Sequence, residues 1–200
     1  MKQGILSFSD VRRVRGSPDF VFCAAMLLCG ILAGLFTGMH IPQNEQAYMN
    51  TLAELLNRDM GEMTVQQAVL CGGGIAAWGI AVLVVGCGRG RALWIAIIVA
   101  ARGFLLAFAA SAAVIQYGTT GIWLSLVTTG VPALAALPAL LLLGAVSMEA
   151  GRRSGSNGYW AALGYRKEVL AACVLLLAAA IVWRLVFTPL LAPLSGLLGG

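Results

Sequence analysis

The chain has 200 residues, 60% of them hydrophobic and 10% charged, and a mean hydropathy of +0.90. A water-soluble domain of this length has too little interior to hide so much apolar side chain, so the composition argues against a soluble enzyme or binding domain and points to a membrane. The net charge of +5 does not mark a nucleic-acid binder, because the Lys and Arg residues cluster at alternate ends of the apolar runs, where they report topology.

Crossing roughly 30 Å of hydrocarbon takes about 20 helical residues. Five runs meet that length: Phe20–Met39, Ala68–Cys87, Ala92–Tyr117, Ile122–Met148 and Val169–Phe187. The expected fold is all-α, a bundle of five transmembrane helices with one external amphipathic helix, in a single membrane domain over 20–200 after a basic arm at 1–19.

The arm carries Lys2, Arg12, Arg13 and Arg15 and reads as a loose cytoplasmic segment. A basic start before an apolar run also resembles a signal peptide. Phe20–Met39 is longer than such an apolar region, however, and "LFTGMHIPQ" offers no small-x-small cleavage site, so an uncleaved first helix is expected. Gly30, Gly34 and Gly38 recur one turn apart and present bare backbone to a neighbour. That neighbour is expected in the same chain, with a second copy or a partner's helix as the alternative.

The segment "IPQNEQAYMNTLAELLNRDMGEMT" places Tyr48, Leu52, Leu55 and Leu56 on one helical face and Asn50, Glu54, Asn57 and Arg58 on the others. Such a helix either rests on the lipid surface or offers a docking face to an extracytoplasmic partner. Its acidic charge draws it weakly to anionic lipid.

The second run opens with "CGGGIAAWG". The third, "IIVAARGFLLAFAAS", holds Arg102 in apolar surroundings, with no Asp or Glu between Glu62 and Glu149. In the fourth, Pro132 and Pro138 each remove a backbone donor and free the carbonyls of Thr128 and Leu134, so this helix is expected to face the bundle interior. An intramembrane polar and kink site of Arg102, Gly103, Thr128, Pro132 and Pro138 follows. The Arg102 donors are expected to reach the Leu134 carbonyl, with snorkelling to the headgroups or solute binding as the alternatives. The connector "EAGRRSGSNGYWAALGYRKE" has Tyr159, Trp160 and Tyr165 beside basic residues and reads as an interfacial anchor.

Basic residues before run one, between runs two and three (Arg89, Arg91) and between runs four and five (Arg152, Arg153, Arg166, Lys167) predict an inside amino terminus and an outside carboxyl terminus. Intramembrane hydrolysis needs a Ser–His pair, an aspartate pair or a zinc site. The lone histidine, His40, lies beside Ile41-Pro42 with no such partner in sequence, and the five cysteines show no metal spacing. No catalytic residue, metal site or cofactor is expected. A broken helix beside a buried cation is also what a transport subunit would use, and this stands as the alternative.

The amphipathic external helix, the Gly-rich second run, "ARGFLLAFAAS", the turn "YGTTG", "SLVTTGVPALAALPALL" and a closing "FTPLL" together resemble the stage II sporulation protein M family over most of the chain. Arg102-Gly103, Pro138 and Thr188-Pro189 match its pattern. Pro132 is displaced by one position, and Ala133 stands where the family tends to carry a polar residue. The resemblance implies a scaffold or localising subunit in the mother-cell membrane of an endospore-forming bacterium. Its partners would be peptidoglycan-degrading enzymes resembling stage II sporulation proteins D and P, acting in forespore engulfment.

Overall fold

A computed structural model describes the backbone of residues 14–40, 65–154 and 158–198. The expected docking face of Tyr48, Leu52, Leu55 and Leu56 lies outside the described residues, which are helical throughout apart from short turns and contain no strand.

Helix α1 (Pro18–Met39) begins where Pro18, preset for the first helical turn, needs no donor, and where the Ser17 hydroxyl accepts from the Phe20 amide at 3.3 Å. Val14, inside the arm expected to be loose, is buried in the core, so the segment just before this cap is packed. At the other end His40 closes the helix. Its Nδ1 meets the Phe36 carbonyl at 2.9 Å, and its ring stacks on Phe36 with centroids 4.1 Å apart. The single histidine is thus engaged locally.

Helix α2 (Val65–Gly86) is followed by a turn at Cys87–Gly90, where Gly90 has φ +74°. Helix α3 (Arg91–Ser125) is broken at Gly118, whose φ of 57° and ψ of −133° lie where only glycine is comfortable. The chain reverses there. A Cβ on Gly121 would collide with the Ala113 carbonyl, so the short arm 119–125 lies against the end of the long arm. The "YGTTG" segment thus turns the chain between two helical arms, and helix resumes directly after Gly118 rather than at Ile122.

That resumed helix widens into a π turn, Leu126–Gly130, before α4 (Val131–Ser154). The Val131 amide donates to the Leu126 carbonyl, five residues back. In this register the carbonyl that Pro132 fails to engage is that of Val127, not Thr128. The indole Nε1 of Trp183 fills the gap, donating to the Val127 carbonyl at 3.3 Å. Trp183 belongs to α6 (Lys167–Leu198), which follows a short helix, α5 (Tyr159–Gly164).

Three helices, Pro18–Met39, Arg91–Ile115 and Val131–Arg153, are long and apolar enough to cross a membrane, and Gly73–Gly86 and Val169–Trp183 are shorter apolar helices. Of the three, the one beginning at Val131 is buried far more deeply than the others. It forms the hub: α1, α2, α5 and α6 all pack on it, and α1 also lies along α3. The core runs through Cys23, Val82, Ile95, Val99, Ala139 and Val146. Outward faces carry Phe22, Leu32, Phe36, Trp94 and Val174, an exposed apolar coat compatible with lipid surroundings.

Candidate functional site

Gly30, Gly34 and Gly38 are all buried, and each faces α3. A Cβ on Gly30 would strike the Ala100 carbonyl and lie 2.9 Å from the Ala100 Cα; one on Gly34 would strike the Phe104 carbonyl, and one on Gly38 the Ser111 side chain. The contact is reciprocal, since a Cβ on Gly103 would sit 2.6 Å from the Leu27 carbonyl oxygen. The sequence places Gly103 in the polar site beside Arg102. Here it belongs to the seam, where its missing side chain lets two backbones meet. The Ser111 hydroxyl, buried at the same contact, donates back to the Ala107 carbonyl at 2.9 Å.

One residue before Gly103, the helical turn rotates Arg102 away from α1 and toward α2. Its guanidinium carbon lies 5.7 Å from the centre of the Trp78 ring. An aromatic face attracts a cation without supplying a charge of its own, which suits a segment with no nearby carboxylate in sequence. The side chains of Leu134, 75% exposed, and Pro138, also exposed, lie on the outer surface of α4, while the Trp78 ring is a neighbour of Arg102 to which the sequence does not point. Pro132, in contrast, is buried. The side chain of Thr128 lies outside the described set.

The charged groups gather at one end of the bundle. Arg152 of α4 pairs with Asp19 of α1. Glu149 accepts from Arg153, one turn along, at 2.7 Å and from Arg166 at 3.0 and 3.2 Å. The Arg91 side chain lies against Gly151. Segments that the positive-inside pattern assigns to one face therefore do meet at one end. Glu149 as a shared partner went unread in the sequence, although its i, i+4 spacing to Arg153 is a usable signal.

Tyr159 also departs from expectation. Trp160 and Tyr165 are exposed, as anchors would be, but Tyr159 is fully buried. Its hydroxyl donates to the Leu83 carbonyl at 3.0 Å. That carbonyl is left open because the α2 end tightens, with Cys87 bonding Val84 and Gly88 bonding Val85. Burial pushes the phenol above its ordinary 10.0. The nearby Ser147 hydroxyl pulls the other way, although no well-formed hydrogen bond joins the two.

At the opposite end of the bundle, α1, α3, the π turn and the start of α4 flank an open apolar cleft of about 360 Å³ lined by Ile31, Leu35, Ala110, Leu126 and Ala133. Among the described residues, no group of three His, Cys, Asp or Glu could hold a metal ion. Comparison with protein-family models, curated proteins and solved structures finds no match.

Proposed function

We propose that this chain is a non-catalytic membrane scaffold with five spans, its amino terminus inside and its carboxyl terminus outside. The observation that carries the reading is the use made of polar groups within the bundle. Arg102 rests on Trp78, Trp183 closes the π turn, and Tyr159 closes the end of α2. Each joins one helix to another, as a rigid support requires. A carrier would instead direct such groups into a polar path between the leaflets. The resemblance to the stage II sporulation protein M family supports the finer proposal that the partners are extracytoplasmic peptidoglycan-degrading enzymes and that the membrane is the mother cell's during engulfment.

Two measurements test this. In a cysteine-free background, single cysteines at Asn50 and Ser156 should label oppositely with an impermeant thiol reagent, with Asn50 reactive from outside; the reverse pattern sinks the topology. From gently solubilised membranes, the tagged chain should recover peptidoglycan hydrolases, and Leu52→Asp with Leu55→Asp should abolish recovery at unchanged abundance. Recovery of an ATPase in place of hydrolases would overturn the scaffold in favour of a transport subunit.

A further inference from the structure

Between the last turns of α4 and the short helix α5 lies a cleft of about 310 Å³ lined by Val146, Glu149, Ala150, Arg153, Ala162 and Arg166. We propose that it binds the phosphate of an anionic phospholipid headgroup.

The cleft has two characters. Val146, Ala150 and Ala162 make its walls apolar, while two guanidiniums and a single carboxylate supply its charge. Glu149 neutralises one guanidinium, so the pair leaves a surplus of one positive charge, equal and opposite to a phosphodiester. Each guanidinium carries five N–H donors, and both contact Glu149 through a terminal NH2 group, so donors remain for phosphate oxygens. Arg152 is itself paired with Asp19 and does not alter the local balance.

The position selects a lipid source for that phosphate. Trp160 and Tyr165 on and just after α5 are exposed, Tyr165 at 90%, beside Arg166 and Lys167. Exposed aromatic side chains next to basic residues at the end of an apolar bundle mark headgroup depth. A basic pocket between helices at that depth favours anionic headgroups. Zwitterionic lipid fits less well, because its ammonium would return a positive charge to the two arginines.

The test uses the full chain in detergent micelles, with retained lipid counted by native mass spectrometry. Phosphatidylglycerol should be retained over phosphatidylcholine. Arg153→Gln, at an exposed position, should cut that preference about five-fold, and Glu149→Gln, which removes the competing carboxylate, should raise it. Equal retention of the two lipids overturns the proposal, as does an undiminished preference in an Arg153→Gln chain that melts like the parent. Stabilisation by inorganic phosphate without any preference between lipids would overturn the lipid source and leave a soluble phosphate as the ligand.

Discussion

Replacing Gly30 with alanine adds one methyl group where α1 and α3 meet backbone to backbone. The new Cβ would strike the Ala100 carbonyl oxygen and sit 2.8 Å from its carbon, and neither atom belongs to a side chain that could rotate away. The helices must separate. Overpacking of this kind costs about 1–3 kcal/mol, and a rigid backbone obstacle puts Gly30→Ala near the top of that range. Alanine also recovers roughly 0.5–1 kcal/mol of helix propensity, leaving a net loss of about 2 kcal/mol. Gly73 in α2 is the internal control, because a Cβ there meets nothing within 4 Å. Gly73→Ala should keep the propensity gain alone, so the two variants should differ by about 3 kcal/mol, over a hundred-fold in the folding equilibrium. Equilibrium unfolding in mixed micelles with increasing SDS, followed by far-ultraviolet circular dichroism, reads the difference. If Gly30→Ala falls within about 0.5 kcal/mol of Gly73→Ala, the close seam does not exist as described.

Trp78→Leu and Arg102→Leu should be coupled in a double-mutant cycle by about 1 kcal/mol, and a coupling below about 0.3 kcal/mol would dismiss the ring as the cation's partner. Trp183→Phe should destabilise by about 1 kcal/mol, and Pro132→Ala, which returns an N–H to the turn, should make the tryptophan dispensable; an undiminished loss in the double variant would disconnect them. The raised phenol of Tyr159 means that the folded state holds its proton more tightly than the unfolded state does. Its contribution is therefore whole below the ordinary value of 10.0 and is lost as pH climbs from there through the folded value. Tyr159→Phe should accordingly lose less stability than the parent above about pH 10, and parallel melting curves for the two across that range would contradict the burial of the phenol.

Composition and periodicity determined what depends on one helix at a time. A continuous apolar run of about 20 residues is stable in hydrocarbon as a helix that satisfies its own backbone, so the long helices and the turn at "YGTTG" between two of them are legible in the sequence. The spacing of Gly30, Gly34 and Gly38 likewise put three bare positions on one face, because a helical turn fixes which residues align. What lies opposite a face is not encoded in that helix's own period. Only the tertiary arrangement set Ala100 against Gly30, placed the Trp78 ring beside Arg102, and brought Trp183 from a helix more than fifty residues away to the Val127 carbonyl. Tyr159 shows the same limit. Beside Trp160 and Arg166 its sequence reads as an interfacial anchor, but the open Leu83 carbonyl, some seventy-six residues earlier, makes burial of the phenol the way to satisfy both groups.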